Sequence, residues 1–319
     1  MEKPRNRGEY QRRCTWHRAW SHSVFWDNEF PAAHFHTPST LGIAAELVAD
    51  LARAHQLHQI VDIGAGSGFL LSQLARFHEF LLTGIERRPP PAELAGEGRV
   101  TWLQSTWTGS WSADLTPALA SPALIVAVEF LDDLPAAVVG RRGGSWHHRR
   151  TDDSWGPVVS EADAQWLNRW WDPGLDEAEV GRARDAAWSE IARLAAPGSI
   201  LAVLDYGHLR GHRRPTFTGY RDGRQVRPEP PVDQLNLTAH VAIDAVDAAV
   251  RAAGASQLAC CQLRDLPQLA VNTPLAAPQP GAAPADDPLA ALASRSERAL
   301  VHQSGGPGDF WWLTHRIER

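Results

Sequence analysis

Cysteine is scarce in this chain, and long apolar runs are missing. Three cysteines are too few for a disulfide framework, and Cys260 and Cys261 lie in a strand-like run that favours small buried side chains over metal or redox chemistry. No apolar stretch reaches the roughly 20 residues needed to span a bilayer. The arginines near the N-terminus precede no apolar signal core. The sequence therefore predicts a protein of the reducing cytoplasm with no membrane partner.

Lysine is also nearly absent, because Lys3 is the only one and arginine supplies the remaining basic side chains. The net charge of −6 gives no general attraction to nucleic acid or anionic lipid, so we expect no nucleic-acid partner. Hydrophobic residues make up 44% and charged residues 21% of 319 residues. This balance predicts a globular chain with one large core, or one core plus a smaller lobe.

Tryptophan, in contrast, is frequent, with 14 residues. Packing in the core and between lobes is the favoured interpretation. The alternative is a cleft whose indole faces hold a cation or an extended peptide. The histidines His34, His36, His147 and His148 show no metal-ligand pattern with cysteines or carboxylates, so we predict no metal site.

Apolar strands alternate with helices along most of the chain. This rhythm predicts an α/β fold with a Rossmann-like, seven-stranded, mostly parallel sheet, helices on both faces, and an inserted lobe. The strands are predicted at residues 59–63, 80–85, 100–104, 123–128, 199–205, 257–263 and 310–315. Helices are predicted at residues 39–55, 182–194, 237–253 and 289–300, and after the glycines that follow the first strand. We expect residues 208–234 to be loop-like and residues 267–288 to form a Pro/Ala-rich connector.

Three glycines separate the first predicted strand from its helix, in the segment Asp62-Ile63-Gly64-Ala65-Gly66-Ser67-Gly68. Glycine is needed where the chain turns tightly and its backbone approaches a ligand closely. The G-x-G-x-x-G spacing of a dinucleotide loop would require glycine at position 69, where Phe69 stands. A nicotinamide enzyme is therefore the weaker interpretation of this loop.

Carboxylates accompany the loop. A pyrophosphate is anionic, so it suits a bare helix N-terminus. S-adenosylmethionine has no phosphate and carries a sulfonium and an α-ammonium group, so an acid such as Asp62 suits it. Glu86 ends the second strand and suits the two ribose hydroxyls. Gln104 and Ser105, at the end of the third strand, are candidates for bonding the adenine edge. These residues together predict S-adenosyl-L-methionine as the cofactor.

Three acids follow the fourth strand: Glu129, Asp132 and Asp133. A partly buried charge needs a partner, which the cofactor's ammonium, an incoming guanidinium or a structural arginine would supply. Methyl transfer is an in-line displacement, in which the enzyme positions the nucleophile and removes charge. Glu129 is the candidate to orient a guanidinium and take up its proton, and it also counts among the cofactor-binding candidates. Asp132 is a second catalytic candidate, although it or Asp133 could instead start the next helix.

The chain resembles the MidA / Ndufaf7 family of class I methyltransferases. The segment from Val61 to Leu70 is similar to the family's glycine loop. Glu129 to Pro135 is similar to the family's N-E-F-x-D-x-x-P segment, and Leu204 to Gly207 is similar to its D-Y-G at the end of the fifth strand. Leu237 to Val241 is similar to its D-L-T-A-x-V helix start. Two departures stand out: Val128 replaces an Asn, and the stretch 215–223 keeps only the Gly-Tyr-Arg core of a longer family motif.

The resemblance implies a protein substrate and an arginine acceptor, because the eukaryotic family member is a protein-arginine methyltransferase linked to respiratory complex I. Tyr206 follows the fifth predicted strand, so we expect it to lie beside the substrate cleft; a packed aromatic is the alternative. Because the strand–helix rhythm is lost from about residue 137 to 179, we predict an N-terminal extension (1–38), a cofactor-binding half (39–136), an inserted lobe or lid (137–180) and the remainder of the methyltransferase domain (181–319).

Two other functions stay open at this point. A non-catalytic assembly factor would keep the cofactor fold and use the Trp- and Arg-rich lobe to bind a partner. A small-molecule methyltransferase would have a closed, apolar pocket under that lobe. The sequence defines neither the acceptor, nor the number of methyl groups transferred, nor the oligomeric state.

Overall fold

The structure of the protein is a computed structural model that describes residues 11, 13–28, 42–94, 96, 98–269, 296–297, 299–303 and 305–319. It separates the chain into two compact units. The first unit comprises His36–Phe130, Glu190–Tyr206 and Val250–Arg319. The second unit comprises Met1–Phe35, Leu131–Ser189 and Gly207–Ala249.

Helices and strands of the described residues are numbered separately along the chain. The strands are β1 Gln59–Ile63, β2 Leu81–Glu86, β3 Val100–Gln104, β4 Leu124–Val128, β5 Ala137–Arg142, β6 Ser145–Arg149, β7 Trp155–Val158, β8 Glu177–Val180, β9 Ile200–Asp205, β10 Gly207–His208, β11 Thr218–Arg221, β12 Arg224–Val226, β13 Asn236–Thr238, β14 Val241–Ala242, β15 Ala255–Gln262 and β16 Trp311–Ile317. The helices are α1 Trp16–Ser21, α2 Phe25–Asn28, α3 Gly42–Ala54, α4 Phe69–Leu74, α5 Glu161–Trp170, α6 Arg182–Leu194 and α7 Ile243–Ala252.

The first unit is built on a seven-stranded sheet with the order β15-β16-β9-β4-β1-β2-β3. Strands β9, β4, β1, β2 and β3 are parallel, and β16 is antiparallel to both of its neighbours. The prediction of a seven-stranded, mostly parallel sheet is confirmed. The strand order reverses between β1 and β4, and ligands of such sheets bind beyond the carboxyl ends of the strands at that point.

Continuous apolar strands make the core of this unit. Every residue of β4 and β9 is buried, as parallel strands covered on both faces require. Helix α3 contributes Ile43, Leu47 and Val48 to the same cluster. Glu297, which is distant in sequence, caps the start of α3. Its carboxylate accepts hydrogen bonds from the backbone N–H groups of Gly42 and Ile43 at 3.3 and 2.9 Å.

The second unit contains a four-stranded antiparallel sheet with the order β7-β6-β5-β8. One buried cluster joins this sheet to helix α5 through Trp166 and Leu167. A second cluster packs Trp16 and Trp20 of α1 around Phe217, with ring centroids 5.2 and 5.5 Å apart. Burial of Trp20 and Trp166 favours packing over cleft lining as the role of these two tryptophans.

The predicted helix over residues 237–253 is wrong in its first part. Helix α7 begins at Ile243, and the residues before it form β13 and β14. The reason is visible in the burial of this stretch: Leu237, Ala239 and Val241 are buried, whereas Thr238 and His240 are only half-buried. Alternation with a period of two is the pattern of a strand rather than a helix.

The expectation of a loop over residues 208–234 is also wrong in part, because strands β11 and β12 form a hairpin there. Asp222 and Gly223 connect the two strands with φ angles of 49° and 73°. Two residues with positive φ are the connection that a tight hairpin needs, and Asp-Gly is a favoured pair for it.

Other expectations fall partly outside the described residues. Of the predicted helix at 289–300, residues 296, 297, 299 and 300 are described and helical. Of the predicted connector, residues 267–269 are described and form a 3-10 turn.

Candidate cofactor site

The glycine loop joins β1 to α4 at the carboxyl edge of the sheet. Gly64, Gly66 and Gly68 all have positive φ, at 76°, 55° and 73°, a conformation that side chains of L-residues rarely adopt. Two of these positions are also crowded: a Cβ on Gly64 would lie 2.5 Å from the Phe130 ring, and one on Gly68 would lie 2.5 Å from Leu94. A Cβ on Gly66 would instead find its nearest atom, the Gly64 carbonyl oxygen, at 3.8 Å. The backbone at Gly66 is therefore the open part of the loop.

Glu86 at the end of β2 is tied directly to this loop. Its side chain is buried, and Oε2 accepts a hydrogen bond from the backbone N–H of Gly66 at 3.0 Å. Oε1 accepts from the backbone N–H and the Nε of Arg88, both at 3.3 Å. The predicted ribose acceptor thus lies beside the open turn of the glycine loop.

Asp62 is the second carboxylate of the site and lies within β1. It is 3% exposed. Burial raises the pKa of its carboxyl to about 7, and the charge of Glu86 adds to the effect. Glu86 already pairs with Arg88, so a further positive charge at this edge would act mainly by favouring the ionised form of Asp62.

Gln104 and Ser105 lie at the end of β3, next to the end of β2. The Gln104 amide donates to the carbonyl oxygen of Arg87 at 2.9 Å, and the backbone N–H of Ser105 donates to the carbonyl oxygen of Glu86 at 2.9 Å. Gln104 is exposed and Ser105 is half-buried. Both residues therefore lie beside the end of β2, and their contacts with adenine stay a prediction.

Glu129 follows β4 in an unusual backbone conformation. Its φ is 51°, in the left-handed region that few non-glycine residues occupy, and its backbone N–H donates to the Leu204 carbonyl oxygen at 2.9 Å. Strained residues of this kind concentrate at functional sites. The side chain is half-buried, and the following residue, Phe130, packs on Gly64 of the glycine loop.

The two other predicted catalytic residues are placed differently. Tyr206 follows β9, the strand next to β4, and its ring lies 3.7 Å from that of Phe310 between centroids. Asp132 is buried in the second unit, where Oδ2 accepts a hydrogen bond from the Thr238 hydroxyl at 2.8 Å. Its backbone carbonyl accepts a further bond from Arg184 at 2.7 Å. Asp132 thus has a packing role in the second unit, and its catalytic role stays a prediction.

Phe130 and Trp111 are site residues that the sequence analysis missed. Their rings stack with centroids 5.9 Å apart, and Trp111 in turn lies 5.7 Å from Trp107. The backbone N–H of Trp111 donates to Glu190 at 3.2 Å. No local pattern indicates that the Phe130 ring packs on the glycine loop, because this contact depends on two strands that meet in the folded sheet.

Among the helices of the described residues, none combines the length and the hydropathy that crossing a bilayer requires. The same part of the chain contains no group of three or more His, Cys, Asp or Glu side chains placed to hold a metal ion.

These features agree with the comparisons to known proteins. The chain belongs to the family described as "Putative S-adenosyl-L-methionine-dependent methyltransferase", whose profile matches residues 42–260. A COG1565 superfamily member from Burkholderia thailandensis, bound to S-adenosyl-homocysteine, has a similar fold, with a TM-score of 0.72 and 17% identity over 98% of this chain and 90% of that one. The native structure of an uncharacterized COG1565 superfamily protein from the same organism has a TM-score of 0.70 and 19% identity, again over 98% of this chain and 90% of that one. No curated protein matches the chain.

The prediction of a methyltransferase that uses S-adenosyl-L-methionine is therefore confirmed. The residues present fit that cofactor. Gly66 offers an open backbone, and the buried carboxylates of Asp62 and Glu86 suit a ligand with positive charge and ribose hydroxyls. The narrower assignment to the MidA / Ndufaf7 family stays a prediction.

Proposed function

We propose that this methyltransferase modifies a protein side chain, with arginine as the favoured acceptor. The observation that carries the proposal is the placement of Glu129, a half-buried carboxylate held at a φ of 51° at the end of β4. The next residue packs on the glycine loop, so the acid lies close to the predicted cofactor site. The resemblance to the MidA / Ndufaf7 family supports arginine as the acceptor.

Each residue of the site has a part in this proposal. Gly66, Asp62 and Glu86 would hold the cofactor, with Glu86 accepting from the ribose hydroxyls. Gln104 and Ser105 would bond the adenine edge. When bound, S-adenosyl-L-methionine would supply a methyl group on a sulfonium, and S-adenosyl-homocysteine would leave as the sulfur–methyl bond breaks.

Glu129 would act on the acceptor. A guanidinium donates two N–H groups to one carboxylate, which fixes the orientation of its terminal nitrogen. When this nitrogen forms its bond to the methyl carbon it must lose a proton, and a carboxylate oxygen of Glu129 would take that proton. Tyr206, after the neighbouring strand, would line the acceptor side, with its ring supported by Phe310.

The test uses cofactor labelled on the methyl group, incubated with the full chain and a protein extract. Acid hydrolysis of the labelled protein should release methylarginine. Glu129→Gln keeps the shape of the side chain and removes its charge, so we expect transfer to fall at least about 100-fold, as for loss of a general base. Cofactor affinity, measured by calorimetry, shows separately how far Glu129 also binds the cofactor.

The matched control is Glu79→Gln, which changes an exposed carboxylate of the same unit that pairs with Arg53. It should leave transfer unchanged. Label recovered only in the small-molecule fraction would identify a small-molecule methyltransferase instead. Tight cofactor binding without any transfer would favour the non-catalytic assembly factor. Full activity of Glu129→Gln would remove Glu129 from the mechanism.

A further inference from the structure

The second unit contains a cavity that the methyltransferase site does not use. Its volume is about 240 Å³. Pockets for small-molecule ligands range from about 300 to 1,000 Å³, so this cavity suits a single side chain or a small ion. Its walls come from α1, from the faces of β5, β6 and β8, and from the segments on either side of the β11–β12 hairpin.

A buried carboxylate stands in the wall of this cavity. Glu179 of β8 is 4% exposed. Its Oε1 accepts hydrogen bonds from the backbone N–H groups of Thr216 and Phe217, both at 2.9 Å. Within the described part of the chain, Oε2 is buried and has no hydrogen-bond donor. A buried acceptor without a donor is costly, and a ligand that brings an N–H group would remove that cost.

Aromatic rings form another part of the wall. Trp16 and Phe217 both line the cavity, with their ring centroids 5.2 Å apart and their planes at 60°. The faces of such rings attract cations, and they do so more strongly where water is excluded. A carboxylate next to aromatic rings is the combination that recognises an organic cation.

The two arginines of the wall are already engaged. The Arg149 guanidinium lies over the Trp155 ring, 4.4 Å from its centroid. Arg227 forms an ion pair with Asp153 at 2.7 Å, and both side chains are largely exposed. The remaining acid, Glu177, lies two residues before Glu179 on the same strand and is exposed. The wall carries three acids, Asp153, Glu177 and Glu179, against these two arginines, so with the acids ionised it favours a positive ligand over an anion.

We propose that this cavity is a second binding site, which takes the guanidinium or alkylammonium end of a side chain, with Glu179 as its acceptor and Trp16 and Phe217 as its aromatic wall. Burial raises the pKa of Glu179 to about 7, and an incoming cation would favour the ionised form. The site belongs entirely to the second unit and does not depend on the acceptor of the methyl group.

The test measures binding of Nα-acetyl-arginine amide to the full chain, because the side chain is its only charge. The citrulline analogue has the same shape without the charge, the lysine analogue carries an ammonium, and the glutamate analogue carries an anion. We expect the arginine or lysine probe to bind with a Kd on the order of a millimolar, as suits a small ligand with one charged contact. Citrulline should bind at least about tenfold more weakly.

Three variants make the test specific. Glu179→Gln keeps an oxygen for the two backbone N–H groups and should weaken cation binding about tenfold or more. Phe217→Leu should weaken it less, through loss of one ring face. Asp185→Asn is the matched control: Asp185 is another buried acid of this unit whose pKa burial raises to about 7, but it does not line the cavity. This control should bind like the natural chain.

Each possible result either supports or overturns the proposal of a cation site. Preference for the arginine probe would identify a guanidinium site, and preference for the lysine probe an ammonium site; both support the proposal. Equal binding of arginine and citrulline, binding of the glutamate analogue instead, or undiminished binding by Glu179→Gln would overturn it. Lack of binding by every probe would also overturn it, while the methyl-transfer proposal would be unaffected.

Discussion

Phe130 occupies the space that a side chain at Gly64 would need: a Cβ there would lie 2.5 Å from Cδ2 of the ring. The contact joins the residue after Glu129 to the first glycine of the cofactor loop. Strand β4 and the loop that follows β1 are therefore coupled by packing as well as by the sheet. A change at either residue is expected to displace the other.

Substitution of the two glycines should separate crowding from backbone strain. Gly64→Ala introduces both crowding against Phe130 and backbone strain, whereas Gly66→Ala introduces only the strain of a positive φ. We expect Gly66→Ala to cost about 1–2 kcal/mol of unfolding free energy, and Gly64→Ala to cost about 1–3 kcal/mol more from overpacking. Denaturant unfolding of both variants measures the difference. Equal losses would show that Phe130 moves aside without cost, and Phe130→Leu should recover part of the loss in Gly64→Ala.

Loss of charge at Glu86 should weaken cofactor binding without unfolding the chain. Glu86→Gln keeps an oxygen for the Gly66 N–H, loses the ion pair with Arg88 and removes a carboxylate expected to accept from the ribose. Hydrogen bonds to charged groups contribute about 1.5–3 kcal/mol, so the Kd for S-adenosyl-L-methionine should rise about 10- to 100-fold in calorimetry. Glu79→Gln again serves as the control. An unchanged Kd would place the ribose elsewhere.

Asp62 should make stability depend on pH. Its folded pKa is about 7, because of burial and then of Glu86, and its unfolded pKa is about 3.9. Between these values the folded chain keeps a proton that the unfolded chain has released, so this contribution to the unfolding free energy falls as the pH rises. Asp62→Asn lacks the effect.

We therefore expect the Tm of Asp62→Asn, relative to that of the natural chain, to increase between about pH 4 and pH 7 without cofactor and then to level off. Thermal melts in matched buffers measure it. Asp50→Asn, at an acid whose side chain is 56% exposed, is the control for removal of a carboxyl group. A flat difference for Asp62→Asn would show that its carboxyl has no raised pKa.

Arg184 should be essential to the second unit. Its buried guanidinium donates to the backbone carbonyl oxygens of Asp132, Leu134, Ala239 and His240 at 2.7–3.1 Å. Arg184→Met would leave these buried acceptors without a donor, at about 1–3 kcal/mol each. We expect a loss of more than about 3 kcal/mol of unfolding free energy, measured by chemical denaturation.

The control for Arg184 is its neighbour Arg182, whose side chain is 54% exposed and pairs with Asp163. Exposed ion pairs contribute about 0–1 kcal/mol, so Arg182→Met should change the unfolding free energy little. A mild effect of Arg184→Met would mean that water replaces the guanidinium.

The sequence predicted the seven-stranded sheet well because its strands are short apolar runs bounded by polar residues. Strands β1 and β3 have the predicted bounds, Gln59–Ile63 and Val100–Gln104. The second unit was predicted poorly because its short strands carry mixed residues. In the stretch from Leu237 to Val241, alternate burial outweighed the helical pattern that continues after Ile243.

The candidate site was predictable in its residue types but not in its contacts. Glycines and acids at strand ends indicated Gly66 and Glu86 because each lies beside a recognisable strand. The packing of Phe130 on Gly64 depends on two strands meeting in the folded sheet, and no local pattern encodes it. Burial of Asp62 from water is likewise a property of the assembled edge.

The position of β16 has a consequence for how the chain acquires its structure during synthesis. Residues 311–317 lie between β9 and β15, and both neighbours are made earlier on the ribosome. The parallel strands from β3 to β9 can pair as they emerge, but β15 has no partner in this sheet until Trp311–Ile317 arrives. Until then, β9 and β15 are open edges that invite pairing with other chains. Nascent chains stalled just before residue 311 should therefore be the species most dependent on chaperones.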